Sequence, residues 1–242
     1  MRLTQCVIKF TWCRNVIKKR FNRLKKTCYF AHSNTQTSYP TPHTSNPIPH
    51  PPLMNPKKYL IFGLGNAEQK YAGTRHNIGF EVVSALAKKL EATFTSERYA
   101  YRAEAKYKGR TLILLMPTTY MNLSGNAVRY WMEKEEVEAQ NILIISDDID
   151  LPVSVLRMRP KGGGGSHNGI NHIIEVLQHA NFPRLRFGIG KNYPQGYQVE
   201  YVLGKFFPEE QEQVTAAIEK AVEVCLSFCT AGLQRTMNAC NA

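Results

Sequence analysis

From Lys57 onward, long apolar runs alternate with amphipathic stretches, and the alternation predicts an order of elements. YLIFGLG (59–65) is a continuous apolar run, the pattern of a strand buried on both faces. Over 77–90, Val82, Val83, Leu86 and Leu90 share one face of a 3.6-residue repeat, which predicts an amphipathic helix. YRAEAKY and TLILLMP flank Lys108-Gly109-Arg110, so they read as two strands joined by a tight turn. A helix is expected after Ser124, a strand over NILIIS (141–146) and a short strand over VLRMR (155–159). Beyond a run of glycines come a helix at about 168–179 and the strand LRFGIG (185–190). A long C-terminal helix is expected over 208–230, with Pro208 in its first turn. Strands alternating with helices, plus one hairpin, predict an α/β fold: a single domain over 54–242 with a twisted mixed β-sheet flanked by helices.

Residues 1–53 break this pattern. VIKKRFNRLKK (16–26) is basic, and NTQTSYPTPHTSNPIPHPPL (34–53) is a Ser/Thr/Pro/His-rich stretch that cannot pack a core. The segment holds nine Lys/Arg and no acidic residue, and so accounts for most of the formal net charge of +12. Residues 54–242 retain 22 basic against 19 acidic residues, a net of +3, so any surface for nucleic acid must be a local patch. The extension reads as disordered. An organellar transit peptide and a nucleic-acid arm both fit its composition, but Met54 stands immediately before the first strand, which favours a start there. The six cysteines fall into two trios without a CxxC pair, which indicates no disulfide framework and suits a reducing compartment. Cys225 and Cys229, four apart on the last helix, read as small packing groups. No run of about 18 apolar residues exists, so no transmembrane helix is expected.

Several motifs fail on inspection. GLGNAE after the first strand has Glu68 where a dinucleotide fingerprint needs its third glycine. KGGGGSHNG lacks the Gly-Lys-Ser/Thr ending of a P-loop, and Asn168 stands where a nucleophile elbow needs glycine. His172, Glu175 and His179 fall near one helical face, where a solvated face is a better reading than a metal site.

What remains is a set of polar residues at strand ends: Asn66, His76, Asn122, Asp147 and Asn168. Ligands of open α/β sheets collect outside the carboxyl ends of the strands. One imidazole, one carboxylate and several amides suit hydrolysis by water, with a neutral His as base and amides positioning a carbonyl. Taken singly, each Asn also fits a turn or cap, and His76 fits a helix start.

As a set, GLGN, YAGTRHNIG, PTTYMNLSG, DDIDLP, GGGGSHNG and RLRFGIG resemble the bacterial-type peptidyl-tRNA hydrolase family in order and spacing, from about Tyr59 to the C-terminal helix. The resemblance implies hydrolysis of the ester between a peptide and the 3′ end of tRNA, by a cytoplasmic monomer that needs no metal or cofactor and no membrane. An organellar location is implied instead if 1–53 is a transit peptide. It implies that His76 is the catalytic base, that Asp147 keeps the base ready to accept a proton, and that Asn66 separates N-blocked from free aminoacyl substrates. Tyr71, Tyr120, Met121, Asn122 and Asn168 match positions lining the substrate channel, and Arg159 and Arg186 match positions near the tRNA phosphates. Ala67 stands where the family often has Pro, and Arg159 where Lys is frequent. A binding-only alternative, like the plant splicing factors that resemble this family, predicts loss of the base or its carboxylate partner, and both are present.

Overall fold

The computed structural model describes residues 57–242; the reading of 1–53 lies outside them. In chain order the elements are β1 (Lys58–Gly63), α1 (Ile78–Lys89), β2 (Thr95–Glu97), β3 (Ala100–Tyr107), β4 (Arg110–Pro117), α2 (Ser124–Glu135) and β5 (Ile142–Asp148). They continue with β6 (Leu156–Arg159), α3 (Asn168–Leu177), β7 (Arg184–Gly188), α4 (Gln198–Val202), α5 (Gln211–Ala231) and α6 (Leu233–Asn241). The seven strands form one mixed sheet in the order β2-β3-β4-β1-β5-β7-β6. β4, β1, β5 and β7 run parallel, so their carboxyl ends share one edge of the sheet. β2, β3 and β6 pair antiparallel to their neighbours, outside this parallel centre.

The apolar runs are continuous because the central strands are buried on both faces. Leu60, Phe62 and Leu64 point to one core with Val128, Trp131, Ile144 and Ile173. Ile61 points to the other, with Val82, Leu86, Leu114, Leu143, Val222 and Cys225. The two-residue period of the strand thus feeds two layers, α2 and α3 on one face and α1 and α5 on the other. Cys229 is buried as its spacing predicts, and burial pushes its thiol up to about 12.

The hairpin falls where expected: Lys108 and Gly109 both take positive φ (46° and 74°), which a two-residue turn between twisted strands requires. The C-terminus departs from expectation. The helix read over 208–230 begins as a 3₁₀ turn at Pro208–Glu210 and continues as α5, and a break at Gly232 (φ 85°) then starts α6. α6 covers the edge strand β6: the Asn241 side chain accepts from Met158 N–H (2.9 Å) and donates to Met158 O (3.0 Å). A side chain thereby occupies backbone groups that an edge strand leaves open.

Candidate active site

The site begins where β1 ends and α1 crosses it. A Cβ on Gly79 would lie 2.5 Å from the backbone of Leu64 and 2.7 Å from Ile145 O, so glycine alone lets the helix start directly on the strand ends. This close crossing brings the 3₁₀ turn Arg75–Asn77 against the loop after β1. Asn77 does not cap its helix. Its Oδ1 accepts from Asn66 N–H (2.8 Å) and its Nδ2 donates to Asn66 O (2.9 Å), which fixes the Asn66 backbone at two points. Asn66 Oδ1 accepts in turn from Met121 N–H (3.0 Å), so the Asn66 NH₂ group remains as the donor available to the cavity.

Beside His76, the guanidinium of Arg75 is buried. It donates to Glu210 Oε2 (2.7 Å) and Ile189 O (3.3 Å) and lies 4.2 Å above the Tyr201 ring. The turn that carries His76 is therefore tied to the segment bearing α4, whose Gln198, Val199 and Val202 wall the cavity.

At the end of β5, Asp147 is buried and meets two imidazoles through one oxygen. Its Oδ1 lies 2.8 Å from His76 Nδ1 and 3.0 Å from His167 Nε2. Burial by itself would push this carboxyl up. The charge and hydrogen bonds of His167 and then His76 outweigh that and hold it well below the usual carboxylate range. An ionised carboxylate only accepts, so each facing ring nitrogen carries the proton. For His76 this places N–H at Nδ1 and leaves Nε2, which has no protein partner among the described residues, as the basic nitrogen. His167 is arranged in the opposite sense. Its Nδ1 accepts from Ile170 N–H (3.3 Å) at the start of α3, so both of its nitrogens are engaged.

His167 was absent from the set read off the sequence, as was Asn77. One signal marks both: His-Asn occurs twice, at 76–77 and 167–168, each time at a helix start. The donor atoms of His76, Asp147 and His167 lie within 4.8 Å of one another, a spacing a metal ion could bridge. Metal on Nε2 of His167 would move its ring proton to Nδ1, against the N–H of Ile170, so the hydrogen bonding opposes ligation. The helical trio His172, Glu175 and His179 lies on a face that is only partly solvated. Half-buried His172 accepts from Gly125 N–H (2.9 Å), joining α3 to α2, and His179 accepts from Asn181 N–H (3.2 Å).

A cavity of about 680 Å³ opens over this cluster. Every residue picked from the sequence lines it: Asn66, His76 and Asp147 with Tyr71, Tyr120, Met121, Asn122, Asn168, Arg159 and Arg186. Tyr120 is 64% exposed at the rim, whereas Met121 is buried beneath. Arg159 is exposed and unpaired among the described residues, but Arg186 is engaged by Asp148. Arg184 donates to Gly163 O (3.0 Å) and Ala180 O (3.3 Å), which holds the glycine loop; burial and then the charge of Arg186 lower its pKa to about 10.

With this geometry in view, the comparisons with known proteins are consistent with one another. The profile of the family described as peptidyl-tRNA hydrolase matches residues 60–242. A peptidyl-tRNA hydrolase of Cytophaga hutchinsonii is 52% identical over 184 residues, 76% of this chain and 98% of that protein. One from Porphyromonas gingivalis is 50% identical over 184 residues, 76% of this chain and all of that one. Among solved structures, peptidyl-tRNA hydrolase from Acinetobacter baumannii superposes with a TM-score of 0.73 at 34% identity, covering 77% of this chain and 95% of that one. Among the described residues, no helix is long and apolar enough to cross a membrane.

Proposed function

The chain belongs to the peptidyl-tRNA hydrolase family, and on that premise we propose that it hydrolyses the ester of peptidyl-tRNA with His76 as general base. One observation carries the assignment of the base. The Asp147 carboxylate accepts the hydrogen bond of His76 Nδ1–H at 2.8 Å, which leaves Nε2 with its lone pair beside the cavity.

In this reaction Nε2 of His76 removes a proton from water as its oxygen adds to the ester carbonyl carbon. Asp147 stabilises the imidazolium that forms. The negative charge on the former carbonyl oxygen is met by side-chain amides, with Asn122 and Asn168 on the cavity wall. Collapse of the tetrahedral intermediate breaks the bond to the ribose oxygen. That oxygen takes the proton from His76, giving a peptide acid and a tRNA hydroxyl. An ester is activated enough for this sequence to need no acyl-enzyme.

The Asn66 amide donor addresses the first carbonyl of the peptide. A free aminoacyl ester has an ammonium group in its place and offers no acceptor. Arg159 and Lys161, exposed on the cavity wall and unpaired among the described residues, meet tRNA phosphates. Arg186 contributes less, because Asp148 already neutralises it. The reading places a monomer in the cytoplasm, where interrupted translation leaves its substrate. The complete His76–Asp147 pair favours an enzyme over a binding-only protein.

The test is hydrolysis of N-acetylaminoacyl-tRNA beside the matching free aminoacyl-tRNA. The wild-type chain is expected to cleave the blocked ester and to leave the free one largely intact. Asn66→Ala should narrow that preference about tenfold, the scale of one hydrogen bond to a partner left unmet. An equal fall on both substrates would take substrate reading away from Asn66.

A further inference from the structure

The sheet order works as a coordinate across the site. Arg186 on β7 and Arg159 on β6 lie at one flank, and Asp147 on β5 and Asn66 after β1 lie at the centre. The scissile ester joins an RNA to a peptide, so if the basic flank holds the RNA, the peptide leaves across the centre towards β4 and β3. A second cavity, of about 230 Å³, occurs on that side. Asn66 borders both cavities, so the two meet at the residue assigned to the first peptide carbonyl.

The second cavity has a distinct chemistry. Tyr101 and Met116, a cross-strand pair of β3 and β4, form one wall, and Phe80, Glu81 and Ser84 of α1 form the other. Ser84 Oγ points to Met116 Sδ (3.5 Å), which leaves the Glu81 carboxylate as the charged group of that helical face. Glu81 has no ion pair or hydrogen bond among the described residues, unlike Glu68 on the rim, which pairs with Lys70 (2.7 Å). Glu81 is exposed at the mouth of this cavity, and the atoms around its carboxyl displace enough water to raise its pKa. An unpaired carboxylate beside an aromatic ring and a thioether matches a long side chain with an apolar stem and a cationic head.

We propose that this second cavity is a subsite for the peptide residue preceding the esterified one, and that Glu81 makes it selective for Lys or Arg there. The inference rests on the hydrolase reading above and adds a substrate preference to it. The RNA flank presents cations to phosphates, and the peptide flank presents an anion to a basic side chain.

The experiment compares kcat/KM of the full chain on N-acetyl-lysyl-alanyl-tRNA and N-acetyl-glutamyl-alanyl-tRNA. Each is divided by the value for N-acetyl-alanyl-tRNA measured with the same variant. Wild type should favour the lysyl over the glutamyl substrate by about three- to fivefold, the scale of a solvent-accessible ion pair, with the difference in KM. Glu81→Gln should bring the ratio close to one, and Glu81→Lys should invert it. Raised salt should compress it in the wild type. Glu81 faces solvent on α1, so both variants should keep the wild-type melting temperature. A lysyl-to-glutamyl ratio identical in wild type and Glu81→Lys would overturn the subsite. Failure of the wild type to cleave any of the three esters would instead overturn the hydrolase reading, and the subsite with it.

Discussion

Two imidazoles approach the Asp147 oxygen at nearly the same distance, 2.8 Å for His76 and 3.0 Å for His167, and the junctions that hold them make them different tools. At the β1–α1 junction, His76 sits in a 3₁₀ turn whose neighbours carry the anchoring. Asn77 grips the Asn66 backbone and Arg75 reaches Glu210, so the far nitrogen of His76 is left free. At the junction of the glycine loop and α3, His167 is itself the anchor, and its far nitrogen caps the helix through Ile170 N–H. The comparison teaches that proximity to a carboxylate does not make a base. What decides is the partner of the second nitrogen, and that partner is set by the backbone on which the ring is mounted.

Substitutions can break this asymmetry, and the largest effect belongs to the free nitrogen. His76→Ala should lower kcat by about 10³–10⁴-fold, the upper part of what a general base contributes. tRNA affinity, measured by filter binding, should stay within about twofold of wild type, since the phosphate contacts assigned above lie elsewhere. Near-normal turnover by this variant would remove His76 from the role.

Asp147→Asn comes next, at about 10²–10³-fold, because the base remains but its tautomer and its imidazolium lose their partner. This variant also tests linkage. The Asp147 carboxyl is held below its ordinary value in the fold, so folding favours its ionised form. That contribution is complete above the ordinary carboxylate value of about 4 and is lost as the pH falls through the folded value. Chemical denaturation should therefore find the variant less stable than wild type at pH 7, with the gap shrinking at pH 3. A gap independent of pH would contradict the assignment.

The smallest effect is expected at His167. His167→Gln keeps a donor for Asp147 but loses the ring acceptor for Ile170 N–H, and should reduce kcat about tenfold, the scale of one hydrogen bond. The pH–rate profile should keep its shape, because His167 does not carry the transferred proton. A loss equal to that of His76→Ala would make the two rings equivalent and end the distinction.

How far the sequence carries this picture depends on where the information lies. The strands of the sheet centre were legible because burial on both faces makes them unbroken apolar runs, as in YLIFGLG and NILIIS. α1 was legible from its apolar face. β2 was not: Thr-Ser-Glu has no apolar pattern and forms a strand only by pairing with β3. α4 and α6 were missed for a related reason. α4 is five residues long, and α6 has a largely polar sequence that depends on its seat against β6. In the site, the residue pattern placed Asn66, His76 and Asp147 at strand ends but left Asn66 open as a turn or cap and His76 as a helix start, and resemblance supplied their roles. His167 stayed hidden because its loop fits neither a phosphate cradle nor a nucleophile elbow, the two motifs its glycines bring to mind. No local spacing connects 167 with 147 and 76; parallel pairing of β1 and β5, and α3 packed on their face, bring them together.

The central claim concerns where two protons sit, and ¹⁵N NMR of the histidine side chains reads this directly. At pH 8, where imidazole is ordinarily neutral, His76 should show a protonated Nδ1 and an unprotonated Nε2, and His167 the reverse. Asp147→Asn should abolish the fixed tautomer of His76 and leave Nδ1 of His167 unprotonated against Ile170. A wild-type His76 with its proton on Nε2 would leave no basic nitrogen beside the cavity and would contradict the account.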